Sequence, residues 1–117
     1  MKQSYSVLKM SKRHPTDRTS HTYEHSIIIG NFSGHSYEDI FHKIAKTLRE
    51  EAYFNQFGEK VQWKIVALLD IFEGFDLQET PLYTEVYSRY FPFKEAVSID
   101  TVCQLYFSDL VLYQQKR

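Results

Sequence analysis

One stretch of this chain, from Tyr37 to Ala52, repeats its apolar residues at three- and four-residue steps, while the long stretches around it alternate every second residue. That change of period constrains the fold more than any other feature. Tyr37, Ile40, Phe41, Ile44, Leu48 and Ala52 would share one side of a helix of about four or five turns. Ser36 followed by Asp39 resembles a capping box, with Asp in place of the usual Glu or Gln. Glu38 and Asp39 suit the positive end of the helix dipole. Asp39 with Lys43, and Lys46 with Glu50, put opposite charges four residues apart on the outer face. Gly58 closes the segment.

The flanking stretches read as strands. Residues 4–10, SYSVLKM, carry an imperfect period of two, and HTYEHSIII alternates more clearly before Gly30. Between them SKRHPTDRTS is polar and holds Pro15, so the pair predicts a hairpin with a long basic tip. In KVQWKIVALLDIF, Val61, Trp63, Ile65, Ala67, Leu69 and Ile71 share one face of an extended chain. Val66, Leu68 and Phe72 fall on the other, as in a central strand or one covered at its far end. The β-branched residues and Trp63 favour strand over helix. After a connection punctuated by Gly74 and Pro81, Leu82 to Phe91 alternates strictly, with Tyr83, Glu85, Tyr87, Arg89 and Phe91 on one side, and Pro92 stops it. Ser98 or Asp100 could cap a second helix with Ile99, Val102, Cys103, Tyr106, Leu110 and Tyr113 as its apolar stripe. The order β-β-α-β-β-α predicts an α+β fold: an antiparallel four-stranded sheet with helices packed on one face.

At 117 residues, 43% hydrophobic and 25% charged, the chain fits a single domain, residues 1–117, that folds without disulfide or metal. The lone cysteine, Cys103, cannot form an internal disulfide and falls on an apolar stripe, so a buried structural thiol in a reducing compartment is expected. No apolar run approaches a signal peptide or a membrane span, which makes the cytoplasm the expected location.

The segments Phe57-Gly58-Glu59-Lys60-Val61-Gln62-Trp63-Lys64, Leu69-Asp70-Ile71-Phe72 and Thr84-Glu85-Val86-Tyr87-Ser88-Arg89-Tyr90-Phe91 carry a resemblance. They are similar to a bacterial family of small proteins of unknown function, whose pattern is a helix, a G-x-x-V-x-W-K strand, a V-L-D-V-F continuation and a T-E-V-Y-S-R strand. The resemblance covers residues 36–92. It implies four strands with a helix and a bacterial source, and it brings no activity with it. Small bacterial proteins of this kind often act as immunity or antitoxin proteins, an analogy of size and setting.

No nucleophile elbow, phosphate loop, dinucleotide fingerprint or zinc spacing is present. On a strand, His21 and His25 would stand roughly 13 Å apart, too far for one metal ion. A nucleic-acid-processing enzyme would have to use His21, His25 or His35 with Lys12 and Arg13. Asp70 with Glu73 and Asp76 with Glu79 lack the rigid spacing of a hard-cation site. Neither a metal nor a cofactor is expected.

Charge and aromatics say more. Residues 1–18 carry Lys2, Lys9, Lys12, Arg13 and Arg18 against Asp17, whereas Asp70, Glu73, Asp76, Glu79 and Glu85 fall in a stretch without Lys or Arg. The two segments either neutralise each other in the fold or leave an acidic surface that steers a basic partner. Nine Tyr, nine Phe and one Trp exceed what core stripes need. Tyr83 and Tyr87 lie between charged residues, either covered by the last helix or exposed to a partner. The sequence therefore predicts a non-enzymatic protein-binding domain, plausibly an immunity protein that neutralises a nuclease-like bacterial toxin with a basic surface. Its partner-binding residues would be Asp70, Glu73, Asp76, Glu79, Tyr83, Glu85 and Tyr87. The acids make nucleic acid an unlikely partner. The alternatives are a small nucleic-acid-processing enzyme that uses His21, His25 or His35, and a homo-oligomeric structural module, such as a homodimer, pairing through a strand edge.

Overall fold

The computed structural model describes residues 2–13, 22–48, 52–54, 60–73, 79–93 and 97–115. The elements are β1 (Gln3–Arg13), β2 (Thr22–Gly30), α1 (Tyr37–Thr47), β3 (Ala52–Phe54), β4 (Lys60–Phe72), β5 (Glu85–Pro92), α2 (Ile99–Phe107) and β6 (Tyr113–Gln114). All strand pairs are antiparallel, in the order β3-β4-β1-β2-β5, and β6 also pairs with β4. The fold is α+β with two helices, as the periodicity predicts. Five strands rather than four form the sheet, because short β3 gives no periodic signal, and β6 adds a two-residue sixth. No helix among the described residues is long and apolar enough to cross a membrane.

The two helices do not share a face. β1 pairs with β2 without interruption from Gln3↔Gly30 to Met10↔Tyr23, so Val7 and Leu8 point to opposite sides. Tyr5, Val7, Ile28, Ile65 and Leu68 pack with Phe41 and Ile44 of α1. Leu8, Met10, Tyr23, Val66, Ala67, Leu69 and Phe91 pack with Val102, Cys103 and Phe107 of α2. The expectation of helices on one face is corrected here: a central pair of strands that is apolar on both sides needs cover on both.

β4 supplies both layers by breaking the strand period. Its pairing with β1 passes from Ser6↔Asp70 to Val7↔Leu68, and from Leu8↔Ala67 to Lys9↔Ile65, so Leu69 and Val66 are extra residues at two bulges. Ile65, Leu68 and Ile71 therefore reach the α1 side at steps of three, and Val66, Ala67 and Leu69 turn to α2. The strict two-residue alternation read from the sequence fails beyond Ile65.

Both helices are shorter than their apolar spacing suggests. At α1, Ser36 accepts from the Asp39 N–H at 3.1 Å, and the Asp39 carboxylate accepts from the His35 N–H at 3.2 Å, so the return bond reaches one residue further back than in a capping box. The helix runs three turns to a C-cap at Leu48 and carries the expected Asp39–Lys43 pair at 3.7 Å. Ser98 caps α2 by accepting from the Thr101 N–H at 3.1 Å. α2 stops at Phe107, before Ser108 and Asp109, which favour turns over helix. The Leu112 N–H then donates to the Leu68 carbonyl and the Gln115 N–H to the Val66 carbonyl, which places Tyr113 on the edge of β4 rather than on a helix.

Leu68 is fully buried where the chain has re-registered between two bulges. Leu68→Ala is expected to lower unfolding free energy by about 2–5 kcal/mol in urea titrations, against about 1 kcal/mol for the cap substitution Ser36→Ala.

Candidate partner-binding surface

The core itself builds the first part of this surface. Tyr5 is fully buried on the α1 side, and burial raises its phenol pKa. Its hydroxyl donates to the Phe32 carbonyl at 2.8 Å and accepts from the Phe32 N–H at 2.9 Å, holding the peptide groups on either side of that residue. The Phe32 ring meets Tyr5 edge-on at 5.1 Å and lies beside Gly30, where a Cβ would stand 2.5 Å from a ring carbon. Gly30 is thus the residue that lets the ring settle.

Phe32 in turn carries Tyr83, whose ring lies 5.7 Å away with 49% of the residue exposed. Tyr83 has φ 66°, in the left-handed region that an aromatic residue rarely adopts. Two backbone bonds hold it there. The Tyr83 N–H donates to the Ile29 carbonyl at 2.6 Å, and the Ile29 N–H donates to the Thr84 carbonyl at 2.9 Å. The alternation read over residues 82–91 is therefore corrected: the strand starts at Glu85. Leu82 and Tyr83 lie in the turn before it.

The expected binding residues do not gather at one place. Glu73 and Glu79 are exposed at the same end of the sheet as Tyr83, beside the start of β1, where the Lys2 ammonium donates to the Thr80 carbonyl at 2.7 Å. Asp70 is half-buried and accepts from the Ile71 N–H. Glu85 turns to the α1 side and contacts Lys9 at 3.2 Å. Tyr87 turns to the α2 side, because a register shift in the β2–β5 pairing makes Val86 an extra residue. Tyr83 and Tyr87 do not share a face. Asp76 lies outside the described residues.

Glu85 is exposed, but its carboxylate is paired with Lys9. Lys9 and Glu24 are both buried, 3.8 Å apart, and Ser26 donates to the Glu24 carboxylate. A buried ammonium needs opposite charge around it, and β2 and β5 provide it. Trp63 and Tyr90 come within 5.9 Å of each other across the two intervening strands on this side. The basic N-terminal segment and the acidic one thus neutralise each other at this point.

The histidine chemistry does not assemble among the described residues. His25 Nε2 lies 2.6 Å from the Ser6 hydroxyl, between the rings of Tyr87 at 5.3 Å and Phe107 at 5.0 Å. His35 is exposed before α1, on the other side of the sheet, and His14 and His21 lie outside the described residues. The backbone of Lys12 and Arg13 extends β1 instead of starting the tip of the hairpin. No group of three metal-ligating side chains occurs among the described residues. Cys103 is buried, and burial, with Asp100 adding to it, pushes its thiol up to about 11. Comparison with family models, characterised proteins and solved structures finds no match for this chain.

The sequence contains two signals for the Tyr83 platform that its periodicity does not decode. They are the glycine two residues before Phe32 and the proline two residues before Tyr83.

Tyr5→Phe is expected to cost about 1–3 kcal/mol, because it leaves the N–H and the carbonyl of Phe32 without this partner. Chemical denaturation measures it, and loss of the Tyr83 ring's ordered NMR shifts would accompany it. Burial, with Arg89 adding to it, lowers the His25 pKa from its ordinary 6.5. A histidine held neutral gives stability that is full above the unfolded pKa and is lost as pH falls through that value towards the lower folded one. Stability should therefore decline below pH 6.5, and His25→Gln should flatten that limb of the profile.

Proposed function

We propose that this chain is a non-enzymatic protein-binding domain whose partner contacts the end of the sheet where Glu73, Glu79, Leu82 and Tyr83 are exposed. One observation carries the reading: a bulky aromatic is kept at positive φ on a platform clamped by the core, with about half of the residue left exposed. A conformation of that kind costs on the order of 1–3 kcal/mol. Glycine or asparagine would meet the backbone requirement without that cost, so the ring supports a role outside folding. Tyrosine suits such a role because it adds stiff contact area with a polar tip.

The chemistry favours a partner with an apolar socket and basic groups around it. Glu73 and Glu79 would steer the encounter, and Tyr83 with Leu82 would slow dissociation. A nuclease-like bacterial toxin is a partner of that kind, since nucleases present basic surfaces to phosphates. In this reading the chain is its cytoplasmic immunity protein. The single buried thiol suits that compartment.

The test is binding to the protein encoded by the adjacent gene, measured by calorimetry and stopped flow. Tyr83→Gly is expected to leave stability unchanged or raise it by up to about 1 kcal/mol, while weakening binding by about 2 kcal/mol or more. Glu73→Lys with Glu79→Lys should slow association, most strongly at low salt. Equal affinity for the wild type and all three substitutions would remove this surface from consideration.

A further inference from the structure

We infer that this chain pairs with a second copy of itself along β5, antiparallel, with Ser88 on the two-fold axis. The inference goes beyond the Tyr83 surface and stands on different residues. β5 is the last strand of the sheet on its side, and no described strand lies beyond it. The opposite border is treated differently. β3 covers the first end of β4 over three residues, and β6 covers its middle over two. β5 offers eight residues, roughly 26 Å of backbone, with no lysine and with proline only at its last position. Lysine is absent from this edge, and the proline and the Val86 bulge are confined to its two ends.

The side chains choose both the partner and the register. Tyr87 and Arg89 are exposed and lie on the α2 side of the sheet. Antiparallel pairing about Ser88 sets Tyr87 opposite Arg89 of the second copy, and Arg89 opposite its Tyr87. Each guanidinium then faces a phenol ring, as Arg89 already faces its own Phe91 at 5.0 Å. Pairing about Arg89 would bring two guanidiniums together. Pairing about Tyr87 would set Arg89 opposite Glu85, which points to the other face and is held by Lys9. Of these three registers, only the one about Ser88 pairs Tyr87 with Arg89 and opposes no like charges. Tyr106 adds to the contact on the same side, since it is 49% exposed with its ring 4.8 Å from Phe91. The arrangement is isologous and closes at two copies.

Sedimentation equilibrium of the full chain over a wide concentration range tests it. The wild type should show a monomer–dimer equilibrium. Tyr87→Lys places like charges in both reciprocal pairs and should weaken the dimer about tenfold, whereas Tyr87→Glu places opposite charges there and should tighten it. Arg89→Glu should weaken it alone, and mixing it with Tyr87→Lys should restore association, because one heterodimer then holds complementary pairs at both positions. Circular dichroism checks that each variant keeps its fold. A mass of one copy at every concentration, a mass above two copies, a shift in the same direction for both Tyr87 variants, or no recovery on mixing would each overturn the proposal.

Discussion

The two bulges in β4 are the constraint on which the rest of the structure depends. A regular strand shows each face every second residue, and two helices on opposite faces would divide its apolar residues evenly. β4 does otherwise. The extra residues Leu69 and Val66 let Ile65, Leu68 and Ile71 line the α1 side, and leave Val66, Ala67 and Leu69 to α2. The chain returns after α2 to the same region, where the carbonyls of Leu68 and Val66 accept from Leu112 and Gln115. Core, helix placement and the path of the C-terminal segment all follow from that local irregularity.

The polar interior has its own logic. Lys9 stands in the middle of the sheet, and its ammonium meets one carboxylate from the neighbouring strand and one from the strand beyond it. Replacing a whole set of buried paired charges with apolar groups of similar shape often costs nothing, whereas removing one member leaves its partners stranded. The network therefore specifies register more than it adds stability. It ties β5 to β1 across β2, and it holds Glu85 on the α1 side while Tyr87 faces α2. The division of the candidate residues between two surfaces begins at this contact.

Much of the fold was legible in the sequence, for identifiable reasons. The helix at Tyr37 declares itself through spacing, cap and charge pairs, and the four longer strands through alternation and punctuation. Three things were not legible. β3 and β6 are too short for any period. The side of the sheet each helix takes depends on bulges, and bulges leave no mark except an apolar run such as Ile65 to Leu69, which also fits a covered far end. The candidate surface was legible in composition but not in geometry. Tyr83 and Tyr87 are exposed, yet the left-handed turn and the extra residue Val86 separate them. Glu85 looked like part of an acidic run because its counterion lies 76 residues away in the chain.

The unequal borders of the sheet have a consequence for how matter can accumulate on it. A protein whose two flanks are both bare can add neighbours on either side without limit, and that is the geometry of fibre growth. Here one flank is occupied by pieces of the chain's own backbone, short and set at the start and the middle of a bulged strand. Whatever docks along the remaining flank also ends the series, because the newcomer, if it is the same molecule, brings its guarded side outward. Self-limitation of this sort is written into the topology and needs no repulsive surface charge to enforce it.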